Sequence, residues 1–165
     1  SQTRRSCDLW GSGTPHKGRI AVSGCPGKSA EATIKDLGII GVDSGWEIHI
    51  AGNGGIKVRV TDLLCKVETD EELLTYVKAF MQFYREDAYY LERTAHWVER
   101  TGLQYVKDVM LDKQKVSYYA NKFEISQKSA QVDPWAKAIE EGFTKEFNPI
   151  VINPEQSHSF EAKEI

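Results

Sequence analysis

The chain has 165 residues, of which 41% are hydrophobic and 27% charged, a composition typical of globular proteins rather than disordered ones. Its 21 basic and 24 acidic residues give a net charge of −3, which lacks the basic excess that general nucleic-acid binding requires. The chain has no apolar run of membrane-spanning length, no signal-peptide core at its start and only three cysteines, and these features together predict a cytoplasmic protein without a disulfide framework.

The sequence predicts one domain between two terminal tails. Residues 1–17 are polar and turn-forming, which predicts an N-terminal tail or linker, and the charged residues 154–165 predict a flexible C-terminal tail. Between them, residues 18–153 form the predicted domain. It opens with a short apolar strand over 19–24 and a short helix over about 27–35.

Three further strands are predicted next, over 37–42, 46–51 and 56–60. The last two alternate apolar and charged residues, and the connections DSG (43–45) and GNGG (52–55) have hairpin length. Connections this short require antiparallel neighbours, so the N-terminal part is predicted to be a β-α-β-β-β unit containing an antiparallel meander.

The C-terminal part is predicted to be helical. Thr69 and Glu72 have the spacing of a capping box and open an amphipathic helix that runs to about residue 90. Further helices are predicted over 91–100, 103–111 and 114–129, a short one begins at Asp133-Pro134, and a last strand covers 147–153. The predicted fold class is therefore α+β.

One stretch carries recognisable chemistry, the sequence SGCPGKS at 23–29. A glycine-rich turn between a strand and a helix directs free backbone N–H groups at a bound anion or anionic cluster. A nucleotide phosphate loop is one interpretation, but its pattern requires glycine where Val22 stands. The predicted antiparallel strands also disfavour that interpretation, because nucleotide-binding folds need helical crossovers.

A second interpretation comes from the sequence around this turn. The stretch from TPHKGRIAVSGCPGKSAEATIKDLGIIGVD through WEIHIAGNGGIKVRVTDLLCKV, with AFMQFYREDAYYLERTAHWVERTGLQYVKD, resembles the large subunits of assimilatory NAD(P)H nitrite reductases. The resemblance covers roughly residues 14–150. It implies membership of the siroheme nitrite and sulfite reductases, in which a [4Fe–4S] cluster bridged to siroheme reduces nitrite to ammonia.

The resemblance also implies the cofactor ligands. The family holds its cluster with four cysteines, a C-x5-C pair followed by a C-x3-C pair, because such clusters bind soft thiolates. The second pair falls on Cys25, the expected metal ligand, and on Ser29, which occupies a cysteine position. The first pair has no counterpart, since only Cys7 precedes Cys25. The chain is therefore expected not to bind the cluster or siroheme by itself.

Other residues have more than one interpretation. Gly24 shapes the turn before Cys25 and is expected to bind the cofactor with it. Asn53 is either a turn residue with positive φ or, by the resemblance, a residue close to the haem. Cys65 is expected to be a small buried residue rather than a ligand. Core packing explains most of an aromatic cluster, and contact with the absent half of the enzyme is the alternative for the others. The cluster consists of Phe80, Phe83, Tyr84, Tyr89, Tyr90 and Trp97.

Two functions therefore remain open. The chain is either part of an assimilatory nitrite reductase, inactive alone, or a cofactor-free interaction module derived from that family. In the first case FAD and NAD(P)H belong to the complete enzyme, and the partners are the rest of the large subunit and a small subunit. Self-association is the alternative to binding the rest of that polypeptide, while nucleic acid and membranes are not expected as partners.

Overall fold

The computed structural model describes residues 13–25, 27, 31–131 and 133–141. The chain divides into two compact units, 1–131 and 132–165, and the first contains the sheet and most of the described helices. Within this description no helix is long and apolar enough to cross a membrane. The predicted strand over 147–153 and the predicted tail over 154–165 lie outside the described residues.

A four-stranded mixed sheet forms the N-terminal part of the first unit. Its strands are β1 (Ile20–Ser23), β2 (Leu37–Val42), β3 (Gly45–Ile50) and β4 (Asp62–Val67), and they lie side by side in chain order. β1 pairs with β2 in parallel, whereas β2, β3 and β4 pair antiparallel. The α+β class and the antiparallel meander are therefore confirmed.

The last strand of the meander is not where the sequence analysis placed it. Residues 56–60 are outside the sheet, and β3 pairs instead with 62–67. The positive φ of Ala51 (64°) turns the chain away directly after β3. β4 then buries Leu64 and Val67 against the core, whereas the apolar side chains of the predicted strand, Ile56, Val58 and Val60, are exposed.

The predicted helix over 27–35 is also shorter in its described part. A single 3₁₀ turn, Ala32–Ile34, lies there, and residues 28–30 are outside the described residues. This turn packs directly on β2, because a Cβ added to Gly38 would lie 2.0 Å from the carbonyl oxygen of Ala32. Only glycine at position 38 permits so close an approach.

Four helices of the first unit follow the sheet: α1 (Asp70–Asp87), α2 (Thr94–Thr101), α3 (Leu103–Leu111) and α4 (Lys113–Gln131). The capping box is confirmed, since the Thr69 hydroxyl accepts from the N–H of Glu72 at 3.2 Å. α1 lies mainly against α4. Trp97 is fully buried, and its ring packs edge-on against Phe80 and Phe83.

The aromatic cluster is divided between core and surface. Phe80, Phe83, Tyr84 and Trp97 are buried, so core packing explains most of it, as predicted. Tyr89 and Tyr90, at the connection that follows α1, are exposed instead.

The second unit has one described helix, α5 (Pro134–Glu141). Asp133 caps it, because its carboxylate accepts from the N–H of Trp135 at 2.9 Å. The predicted N-cap and first-turn proline are therefore confirmed.

Candidate functional site

A groove lies at the carboxyl ends of β1 and β2. Because these strands are parallel, the turn after β1 and the turn between β2 and β3 meet at one edge of the sheet. The groove has a volume of about 770 Å³ and is lined by Gly24, Cys25, Gly41, Val42, Asp43, Ser44, Gly45, Trp46 and Glu68. The structure thus places Gly24 and Cys25, two of the predicted site residues, in its wall.

Local contacts hold the turn that carries Cys25. The hydroxyl of Ser23, a buried residue, donates to the carbonyl of Cys25 at 3.0 Å. The carbonyl of Gly24 lies against β2 at Gly41, where an added Cβ would come within 2.9 Å of it. Cys25 is itself exposed, so its thiol is accessible from the groove.

The charged residues that line the groove are acidic. Asp43 and Glu68 are the charged residues among those that line it, and no cationic side chain joins them within the described residues. Trp46 forms part of the wall and donates its indole N–H to Asp70 at 2.8 Å, which fixes the ring beside the start of α1. Siroheme carries several carboxylates, so this described lining does not fit its charge.

The described residues also do not fit a four-thiolate cluster. Cys25 and Cys65 are the free thiols among them, and no cluster of three or more metal-binding side chains occurs in that part of the chain. Cys65 lies in β4, an edge strand of the sheet, opposite Ile48 of β3, and burial raises the pKa of its thiol to about 11. A thiol held protonated in this way is a poor iron ligand, although Cys65 is half-buried rather than buried as predicted.

Ser29, at the family cysteine position, lies outside the described residues. So does Cys7, which matches no ligand position of the family. The whole chain nevertheless contains three cysteines, so it cannot supply four cysteine thiolates to one cluster.

Asn53 lies at the opposite end of the sheet from Cys25. Asn53 follows Ile50, which pairs with Leu37 at the start of β2. Cys25 lies near the other end of β2, where Val42 pairs with Gly45. These two ends are about 17 Å apart along the strand. Within this chain, Gly24 and Cys25 on one side and Asn53 on the other therefore do not form one site.

The interpretation of Asn53 as a turn residue with positive φ is wrong. The non-glycine residue with positive φ in this part of the chain is Ala51, and Asn53 does not have a positive φ. Asn53 is buried, and its side-chain oxygen accepts from the N–H of Gly55 at 3.1 Å and from Arg93 at 3.0 Å. The residue fixes the turn through its side chain rather than through its backbone conformation.

The contact between Asn53 and Arg93 belongs to a buried polar network that sequence reasoning missed. The carboxylate of Asp36 accepts from the N–H of Arg19 at 2.9 Å, from Arg93 at 2.8 Å and from the Thr94 hydroxyl at 2.8 Å. Arg19, Asp36 and the adjacent pair Arg93 and Thr94 lie in three separate parts of the sequence, so no local signal indicated the network.

Comparisons with known proteins are consistent with the resemblance. A family model described as the nitrite and sulphite reductase 4Fe-4S domain matches residues 2–117. The nitrite reductase [NAD(P)H] of Bacillus subtilis is 47% identical over 131 residues, covering 79% of this chain and 16% of that protein.

Two further relatives extend this comparison. The nitrite reductase (NADH) large subunit of Escherichia coli is 45% identical over 101 residues, covering 60% of this chain and 12% of that protein. An assimilatory-type sulfite reductase of Nitratidesulfovibrio vulgaris is 31% identical over 97 residues, covering 59% of this chain and 44% of that protein. The chain thus spans less than a fifth of the length of the two nitrite reductases.

Proposed function

Because the chain belongs to the nitrite and sulphite reductase 4Fe-4S domain family, we propose that it is part of an assimilatory nitrite reductase, in which nitrite is reduced to ammonia with electrons from NAD(P)H. The observation that carries this proposal is the 47% identity to a nitrite reductase over 131 residues. The sulfite reductase match is weaker and shorter, at 31% over 97 residues, which favours nitrite as the substrate.

The chain does not reduce nitrite alone under this proposal. A [4Fe–4S] cluster and siroheme supply the electron transfer in the complete enzyme, and FAD and NAD(P)H belong to it as well. The contribution of this chain is the groove wall at Gly24 and Cys25, with one exposed thiol. The set of cluster ligands is incomplete, since three cysteines cannot supply the four thiolates that a [4Fe–4S] cluster needs.

A chimeric enzyme tests the proposed activity. The segment of Bacillus subtilis nitrite reductase that matches this chain would be replaced by this chain, with either Ser29 or Ser29→Cys. We expect the Ser29→Cys chimera to reduce nitrite and the Ser29 chimera to do so at least tenfold more slowly, because a serine oxygen is a poor substitute for a thiolate on iron. A folded, siroheme-containing Ser29→Cys chimera without nitrite reduction would contradict the proposal.

Reconstitution of the chain alone tests the incomplete donor set. Anaerobic incubation with iron, sulfide and siroheme should leave the purified chain without a stoichiometric cluster, as measured by iron analysis and visible spectroscopy. About four irons per chain would show that the ligand argument is wrong.

The second candidate function is a cofactor-free interaction module. The observation in its favour is the described groove, which has two carboxylates, one exposed thiol and no cation. If the Ser29→Cys chimera lacks both siroheme and nitrite reduction while the isolated chain is folded, this second function becomes the better explanation.

A further inference from the structure

The segment between β3 and β4 contains the one Asn-Gly dipeptide of the chain, Asn53-Gly54. In flexible peptides this dipeptide deamidates readily, because glycine has no side chain to hinder attack by its backbone nitrogen. That nitrogen bonds to Cγ of the asparagine and closes a succinimide ring, while its proton leaves with the side-chain amide as ammonia. Water then opens the ring to aspartate or isoaspartate, so a carboxylate replaces the carboxamide.

The fold holds the carboxamide of Asn53 in one position. The residue is buried, and its Oδ1 accepts from the N–H of Gly55 at 3.1 Å and from Nη1 of Arg93 at 3.0 Å. Arg93 is fixed in turn, because its Nη2 donates to the buried carboxylate of Asp36 at 2.8 Å. We call the contact of Arg93 with Asn53 and Asp36 the Arg93 clamp.

The backbone of Asn53 is held as well. Residues 53–59 close into a small hairpin, because the N–H of Asn53 donates to the carbonyl of Arg59 at 2.9 Å and its carbonyl accepts from the N–H of Arg59 at 2.8 Å. The guanidinium of Arg59 donates to the carbonyl of Ala51 at 2.5 Å and to the carboxylate of Asp62 at 2.6 Å. In extended backbone the next amide nitrogen points away from the side chain. Ring closure therefore requires a rotation at Asn53 that breaks its pairing with Arg59.

We propose that Asn53 is a latent deamidation site, which the Arg93 clamp and the pairing with Arg59 keep unmodified while the chain is folded. The protection is geometric rather than electronic. Two hydrogen bonds to Oδ1 polarise the carboxamide, and by themselves they favour attack on Cγ. The clamped side chain and the extended backbone keep the nitrogen of Gly54 from making that attack.

Deamidation at this position would alter the fold locally. Aspartate at position 53 places a second carboxylate on Arg93, which already pairs with Asp36. Isoaspartate adds one carbon to the backbone and shifts the register of the pairing with Arg59. A chain in which the hairpin has opened and isoaspartate has formed therefore cannot restore the original pairing.

Peptide mass spectrometry tests this proposal on the full chain. The folded chain and the chain unfolded in guanidinium would be incubated at the same mildly alkaline pH, and the peptide containing Asn53 followed for a mass increase of about one dalton. We expect deamidation to be at least tenfold slower in the folded wild type. Arg93→Lys, which loses the two-pronged contact with Asn53 and Asp36, should deamidate at least fivefold faster than folded wild type.

Val116→Ala is the matched control. Val116 is buried on α4, which packs against α1 and α3, so its truncation weakens the core and leaves the Arg93 clamp in place. Urea denaturation would show that both variants are folded under the incubation conditions. We expect folded Val116→Ala to deamidate as slowly as folded wild type.

Three results would overturn the proposal: folded wild type that deamidates as fast as the unfolded chain or faster, Arg93→Lys that deamidates as slowly as wild type, or Val116→Ala that deamidates as fast as Arg93→Lys. If Arg93→Lys does not fold, Asp36→Asn replaces it with the same expectation, because it weakens the ion pair that anchors Arg93. The readout involves neither a cofactor nor nitrite reduction, so its outcome is independent of the proposed function.

Discussion

Asp36 and Arg93 lie 57 positions apart in sequence, yet Nη2 of Arg93 donates to Oδ2 of Asp36 at 2.8 Å. The pair joins the start of β2 to the start of α2, and Arg93 extends the connection to Asn53 in the segment that follows β3. One buried carboxylate thereby fixes the relative positions of the sheet, this segment and the helical part.

Asp36→Ala should be strongly destabilising. The substitution leaves the Arg93 guanidinium and the Thr94 hydroxyl without their buried acceptor, which costs about 3 kcal/mol of unfolding free energy. Glu124→Ala, which removes a partly exposed ion pair with Lys78, is the control and should cost less than about 1 kcal/mol. Urea denaturation measures both, and equal losses would contradict the role given to Asp36.

Gly38→Ala should also destabilise the protein. A Cβ at this position would lie 2.0 Å from the backbone oxygen of Ala32, so the 3₁₀ turn must shift away from β2. We expect a loss of about 3 kcal/mol, typical of overpacking in a core. Gly18→Ala is the matched control, since an added Cβ there meets no atom within 4 Å. An unchanged urea midpoint for Gly38→Ala would show that the turn does not pack as described.

The ion pair between Glu92 and Arg100 predicts a pH dependence of stability. Arg100 donates to both carboxylate oxygens of Glu92 at 2.8 Å, which holds the pKa of Glu92 below its ordinary value of 4.5. A carboxylate with a lowered folded-state pKa stabilises the fold above pH 4.5, and this stabilisation is lost as the pH falls through the lowered pKa.

Glu92→Gln removes this component of stability. The free energy of unfolding, measured in urea at about pH 6 and about pH 3, should therefore fall less in Glu92→Gln than in wild type. Arg100→Gln should flatten the dependence in the same way, because it removes the partner. This prediction is wrong if the free energy of unfolding falls by the same amount between about pH 6 and about pH 3 in wild type and in both variants.

The two described cysteines should differ in reactivity. Cys25 is exposed at the groove, whereas Cys65 is half-buried in β4 with its pKa raised to about 11. At about pH 8 only about 0.1% of Cys65 is thiolate, so native iodoacetamide alkylation of Cys65 should be at least tenfold slower than that of Cys25. Peptide mass mapping measures both rates, and in denaturant the difference should disappear. Equal rates in the native protein would contradict the placement of Cys65.

The sequence by itself determined the elements whose signals are local. Thr69 and Glu72 mark the start of α1 because a capping box acts within one helical turn, and Asp133 marks α5 for the same reason. The long match around Cys25 also determined the family, since it depends on residue identity rather than on packing.

Only the tertiary structure decided what the segment 56–60 does. Its alternation is equally compatible with a strand and with an outward-facing hairpin, because a period of two fixes which side chains share a face but not which strand β3 pairs with. That choice depended on Leu64 and Val67, which β4 buries in the core. The Asp36–Arg93 pair was likewise decided by packing, since it joins residues that no local pattern connects.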